Sequence, residues 1–186
     1  MPHLVHVLGA SDRFALHRHF AALDASDLRM RFGRARDADW VRRYVEGIDF
    51  GRDTVLGVRD GARLAGVAHV ALFRGAAELG VSVLPDQRRR GIASALFDRG
   101  ALHARNRGVV ELFIHCLSEN EAMRRIARKA GMRVLVEEVG TDAWIELAPP
   151  SPFSVGQELF ERQLTLLDLA LDPPWARARD RRHEAA

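Results

Sequence analysis

The sequence predicts a mixed α/β fold: a mostly antiparallel sheet flanked by helices, followed by a C-terminal helical extension. Three observations predict it. Two alternating apolar runs, 53–59 and 63–73, flank Asp60-Gly61, a turn whose glycine tolerates the positive φ of a tight hairpin. A third strand, 78–84, passes through Pro85-Asp86 directly into a helix that opens near Gly91. Segments with apolar residues at helical spacing stand before and after these strands.

Taken in order, residues 4–8 alternate and read as a short strand that can be covered on both faces. Residues 12–23 read as a helix with Phe14, Leu16, Phe20 and Leu23 on one side, and 37–48 as a second with Trp40, Val41, Tyr44, Val45 and Ile48. After the three strands, a helix runs from the 87–93 segment to about Arg107, where Gly108 ends it. Residues 109–117 form an apolar strand and 119–130 a helix stopped by Gly131. Two strands, 132–139 and 143–147, are separated by Gly140-Thr141-Asp142. Pro149-Pro150-Ser151-Pro152 breaks structure and divides a domain over 1–148 from an extension over 149–186. In the extension, Ser154 and Gln157 have capping-box spacing ahead of a helix with Phe160, Leu164, Leu167 and Leu171 on one face. From Trp175 the chain is charged and reads as mobile.

Composition excludes several classes. With 186 residues, 47% hydrophobic and 28% charged, the chain is long enough for one globular core. It has no apolar run of the roughly 18 residues that could span a bilayer, and no secretory pattern at its start, so neither membrane association nor export is expected. A lone cysteine, Cys116, allows no intrachain disulfide and fits a reducing cytoplasm. The net charge of +3 is modest, and the arginines are scattered among 25 acidic residues, which argues against nucleic acid as a partner. Lys129, the only lysine, follows Arg128 and not a glycine, so there is no phosphate loop of the G-x-x-x-x-G-K-[ST] type. No H-E-x-x-H or C-x-x-C is present, and no metal is expected.

The strand–turn–helix unit over 78–107 carries the most chemistry. A helix N-terminus offers free backbone N–H groups and the positive end of a dipole, so it attracts phosphate. Gly91 removes a side chain that would block close approach, Ala93 keeps the next turn small, and Arg88, Arg89 and Arg90 add charge at the same place. The pattern [QR]-x-x-G-x-[GA] is short, and Arg63, Gly66 and Ala68 match it too. Those three lie inside an alternating strand, whereas Arg88, Gly91 and Ala93 sit where a strand has ended and a helix starts.

With this motif in that context the chain resembles the GCN5-related N-acetyltransferases, whose acetyl-CoA loop lies between a strand and a helix. Asn120, Met123, Ile126, Ala127, Arg128, Lys129 and Gly131 are similar to the later family pattern N-x-x-M-x-x-L-A-R-K-x-G-F, here ending in Met132. Glu78 stands ten residues before Arg88, the spacing of the strand glutamate in the subgroup resembling bacterial protein lysine acetyltransferases. The resemblance covers residues 3–148 and implies a sheet splayed around acetyl-CoA as cosubstrate. It further implies that backbone groups of Val81 and Val83 pair with the pantetheine arm, and that the loop from Arg88 through Arg89, Arg90, Gly91, Ile92, Ala93 and Ser94 holds the pyrophosphate. Asn120, with Met123 in the same motif, would contact the cofactor near its middle. Glu78 would act as general base on an acceptor ammonium, which has a pKa near ~10 and cannot attack a thioester until it loses a proton. The acceptor would be a protein lysine or a small-molecule amine. Many family members have tyrosine where Ala127 stands, so the general acid is open among Ser118, Cys116 and water. A non-catalytic acyl-CoA sensor is the alternative from another class.

Other residues have plainer readings. Cys116 reads as a small buried hydrophobe, His69 as a core or sheet-face residue, and His17 and His19 as helix surface. The terminal helix could close the core, bind a partner, or pair with its copy in a homodimer.

Overall fold

The computed structural model describes residues 3–136 and 141–171. The expected strand positions 137–139, the turn residue Gly140 and the charged stretch from Trp175 lie outside the described residues. One seven-stranded sheet contains β1 (His6–Leu8), β2 (Thr54–Asp60), β3 (Arg63–Leu72), β4 (Ala76–Val83), β5 (Glu111–Cys116), β6 (Arg133–Val136) and β7 (Thr141–Glu146), in spatial order β1-β2-β3-β4-β5-β7-β6. Every neighbouring pair is antiparallel except β4 and β5. That parallel pair needs a crossover, which α4 (Ile92–Asn106) provides.

Helices cover both faces. On one side α1 (Arg13–Ala21), α2 (Ala25–Phe32) and α3 (Ala38–Glu46) bury Leu16, Phe20, Leu28, Val41 and Val45 against Val55, Leu64 and Val67. On the other, Ile92, Leu96 and Phe97 of α4 pack on Leu56, Ala68, Val70 and Leu79, and Met123 and Ala127 of α5 (Glu121–Lys129) cover the β5–β7 side with Leu112, Ile114 and Ala143. Gly66, the glycine of the competing motif match, lies under α4: a Cβ there would stand 2.6 Å from Ile92 Cγ2. Its role is close packing of helix on strand. Among the described residues no helix is long and apolar enough to cross a membrane.

Three elements differ from the sequence expectation. The expected 12–23 helix is the shorter α1, with a 3-10 turn, Ala10–Asp12, ahead of it. Helix α2 had no counterpart, because only Leu28 of its eight residues is buried and its apolar residues show no helical stripe. Its ends were nonetheless written locally: the Asp24 side chain accepts from Asp27 N–H at 2.7 Å, and Gly33 closes it at φ 74°. The terminal helix, α6 (Pro152–Leu171), begins at the proline stretch and not after it. Ser151 is its cap: Ser154 N–H donates to Ser151 Oγ at 3.1 Å, and Ser151 N–H donates to Ser154 Oγ at 3.0 Å. Pro152 takes the first helical position, where no N–H is needed.

Helix α6 docks on α4 by its polar side. His103 Nδ1 lies 2.5 Å from Glu158 Oε1, Asn106 Nδ2 donates to Glu158 Oε2 at 2.6 Å, and Arg99 pairs with Glu161 at 3.1 Å. Burial opposes ionisation of Glu158, yet the bonds from His103 and Asn106 hold its carboxyl at about 2. The predicted apolar face is real but points away from the domain: Phe160, Leu167 and Leu171 are exposed.

Candidate active site

The site begins with a fork. β4 and β5 pair only at Ala76↔Glu111, Ala77↔Leu112 and Glu78↔Phe113, after which the strands are no longer bonded. Glu78 is thus the last paired residue, and the 79–83 segment of β4 presents an edge without a β5 partner. Open backbone of this kind can accept a strand-like ligand.

A groove of about 720 Å³ occupies one side of the fork. Its walls include Val81 and Val83 of β4, Met30 of α2, the loop residues Arg88, Arg89 and Gly91, the first turn of α4 (Ile92, Ala93, Ser94), and Asn120 and Met123. Helices α2, α3 and α5 are capped by the side chains of Asp24, Asp37 and Asn120, but α4 has no side-chain cap. Its first turn lines the groove, and uncapped N–H donors with the positive dipole end behind them can hold an anion. The loop that delivers it bends through left-handed backbone at Arg89 (φ 63°) and Gly91 (φ 84°), and a Cβ on Gly91 would meet nothing within 4 Å. That is the shape of a backbone cradle.

The three arginines divide their work. Arg88 Nη2 pairs with Asp27 of α2 at 2.5 Å and its Nε donates to the Val83 carbonyl at 3.2 Å, so it ties α2 to the end of β4. The Arg90 side chain turns aside to donate to Gln87 Oε1 at 3.0 Å and does not line the groove. Arg89 lines it without a hydrogen bond or ion pair to a described residue. Asn120, in the groove wall, accepts from Met123 N–H at 3.2 Å through Oδ1 as the α5 cap, a role that does not use its amide nitrogen.

A second cavity, of about 520 Å³, opens on the other side, and Glu78 lines it. Glu78 makes no hydrogen bond or ion pair with a described residue. Around it runs a chain the sequence reading missed. Tyr44 O–H donates to His69 Nδ1 at 2.7 Å, and His69 Nε2 donates to Asp53 Oδ2 at 3.2 Å. Although burial pushes the Asp53 carboxyl up, bonds from Arg52, Leu72 N–H and His69 hold it below the usual range. Burial, aided by the charge of Arg31, lowers His69 and keeps it neutral, while burial raises the Tyr44 phenol. His69 faces Gly80 and Ala71 faces Glu78 across β3 and β4, so one sheet face carries both His69 and Glu78. A register drawn through the turn at Arg74-Gly75 would have brought them together.

Of the open general-acid candidates, Cys116 lines this cavity with its thiol pushed up by burial, and Ser118 does not line it; Ala127, at the position where many relatives have tyrosine, is buried in the core. His17 is on the surface beside Glu46 as expected. His19 is not: it is buried, with Nδ1 donating to the Leu64 carbonyl at 2.9 Å and Nε2 accepting from Ser82 O–H at 2.8 Å.

A groove lined by the uncapped N-terminus of α4 thus lies across a strand fork from a cavity holding an unpaired carboxylate, an arrangement suited to group transfer. The acetyltransferase (GNAT) family matches residues 21–132, more than half of the chain. The chain belongs to this family, and its reaction is acetyl transfer to an amine. No curated protein matches the sequence. Among solved structures, the GNAT domain of S. lividans PAT is 22% identical with a TM-score of 0.66, covering 77% of this chain and 89% of that one. YncA, a putative acetyltransferase from Salmonella typhimurium with its cofactor acetyl-CoA, is 20% identical with a TM-score of 0.62 over 82% of this chain and 99% of that one. The ribosomal-protein-alanine N-acetyltransferase from Brucella melitensis is 18% identical with a TM-score of 0.61 over 77% and 99%. At these identities the likeness is one of fold.

Proposed function

We propose that acetyl-CoA lies in the groove with its pyrophosphate on the amides from Arg89 to Ser94 and its pantetheine arm along Val81 and Val83, and that Glu78 is the general base. The observation that carries this reading is the place of Glu78: the last paired residue of the fork, unpaired itself, in the wall of the cavity across from the groove. Glu78 takes a proton from the acceptor ammonium, and the freed nitrogen lone pair attacks the thioester carbonyl. The C–S bond breaks and the nitrogen sheds its second proton as the amide forms; one of the two protons lost from nitrogen is matched by the one the thiolate takes up, and the net reaction releases one proton. The acceptor is an amine on a protein lysine or a small molecule.

The test separates binding from chemistry. Glu78→Gln keeps shape and hydrogen bonding but removes the base, so acetyl-CoA affinity stays while transfer falls by about 10²–10⁴-fold and recovers in part toward alkaline pH. Equal rates in variant and parent, with chemistry limiting turnover, would remove Glu78 from the mechanism. Tight acetyl-CoA binding with no transfer to any amine would overturn this reading in favour of a non-catalytic acyl-CoA sensor.

We further propose that α6 pairs with its copy in a homodimer. Its polar side is spent on α4, and Phe160, Leu167 and Leu171 are left exposed on the other. Phe160→Glu with Leu167→Glu should yield a folded monomer by sedimentation; a parent that is already monomeric refutes the pairing.

A further inference from the structure

Arg31 stands in the wall of both cavities, where the groove meets the Glu78 cavity. Its guanidinium lies flat on Gly80, so closely that a Cβ at that position would collide with it. It is held there by aromatic groups: Nη2 donates to Tyr44 Oη at 3.2 Å, and Cζ lies 4.7 Å from the centre of the Phe32 ring. Arg36, in the wall of the same cavity, is held likewise, 3.8 Å above the Trp40 ring, which in turn stacks on Tyr44. Among the described residues neither guanidinium has an ion-pair partner, and Arg36 Nε is shielded from solvent with no acceptor. Nearby arginines behave differently, since Arg29 pairs with Glu119 and Arg88 with Asp27.

The cavity therefore combines one unpaired carboxylate, Glu78, with two fixed guanidiniums; Asp142, its other acid, is engaged by His115 at 2.5 Å. Glu78 and Gly80 lie two residues apart on one strand face, about 7 Å along the chain direction. A bare cationic amine reaching Glu78 enters the field of Arg31 and is repelled. An amine with its own carboxylate a few bonds away satisfies both ends, ammonium to Glu78 and carboxylate to guanidinium, with the charge-assisted geometry arginine favours.

Resting on the acetyl-transfer reading above, we propose that the acceptor is an amine bearing a carboxylate close to its nitrogen, the α-amino acids being the simplest case, and that Arg31, seconded by Arg36, is the specificity determinant that binds the carboxylate. The experiment measures acetyl transfer to matched pairs, phenylalanine with phenethylamine, leucine with isoamylamine and lysine with cadaverine, together with a lysine-containing peptide. The parent is expected to favour the amino acid of each pair by about 10- to 100-fold in kcat/KM, the size of one or two charge-assisted bonds. Arg31→Met should bring that ratio to near one by raising KM for the acid; Arg36→Gln, at a residue that lines only the Glu78 cavity, should lower it less. The thermal shift produced by acetyl-CoA reports that each variant is folded. Equal use of acid and amine by the parent overturns the proposal while leaving acetyl transfer intact. So does an equal loss for both members of a pair in Arg31→Met, or discrimination that follows a carboxylate on the acyl group, with succinyl-CoA in place of acetyl-CoA. No transfer to any acceptor, with acetyl-CoA bound, overturns the transfer reading and this proposal with it.

Discussion

Tyr44 of α3 donates its hydroxyl proton to His69 Nδ1 of β3 at 2.7 Å, and this bond fixes one wall of the cavity that holds Glu78. It also sets the tautomer: with Nδ1 accepting, Nε2 carries the proton toward Asp53. The same phenolic oxygen receives Arg31, so a single residue orients a histidine and an arginine.

Tyr44→Phe should therefore cost more than one surface hydrogen bond. It leaves His69 Nδ1 and Arg31 Nη2 without their partner, and the expected loss is about 1–3 kcal/mol in denaturant unfolding. Combined with His69→Gln, the cycle should show a coupling above ~0.5 kcal/mol. Strict additivity would mean that the bond carries no energy.

The buried His19 gives the fold an acid limit. Burial lowers its pKa to about 4 from the ordinary 6.5. A histidine depressed in the folded state contributes stability that is complete above 6.5 and is lost as pH falls from there through 4, in total about 3 kcal/mol. Unfolding free energies measured across that window should show the slope, and His19→Gln should flatten it. An imidazole that titrates by NMR at its ordinary value would refute the linkage.

Gly91 separates backbone strain from charge in the cradle. At φ 84° any side chain is strained, so Gly91→Ala should lower stability by about 1–2 kcal/mol and weaken the melting-temperature rise given by acetyl-CoA only modestly. Gly91→Glu carries the same strain plus an anion at the α4 N-terminus and should abolish that rise. If the glutamate variant binds acetyl-CoA as well as the alanine variant, the pyrophosphate lies elsewhere.

Much of the fold was legible because its signals are local. The Asp60-Gly61 hairpin, the strand–turn–helix unit at 78–107 and the caps around Gly108 and Gly131 are each written within a few residues. Helix α2 escaped because it owes its place to packing: it lies against β4 and β5, and Leu28 is buried in a cluster with Val55, Leu64 and Val67, all far away in sequence, while its own surface is charged. The terminal helix was legible as an amphipathic segment, but not which side it would bury. Glu158 and Ser154 turn inward because α4 offers them His103, Arg99 and Asn106, a complement that no window of 20 residues contains.

The strand–turn–helix unit with Gly91 in left-handed backbone ahead of α4 was readable in the sequence, since such a turn is a short-range instruction, as was the place of Glu78 ten residues before Arg88 on a strand. The surroundings of that carboxylate follow from the folded chain alone. Tyr44, His69 and Asp53 come from α3, β3 and the approach to β2, and Arg31 from α2, so their meeting depends on strand register and helix packing. Gly80 shows the physical reason: an unremarkable strand glycine in the sequence, it becomes the seat of the Arg31 guanidinium once β4 lies beneath α2, because charge and shape in a pocket are set by distances through space that spacing along the chain does not encode.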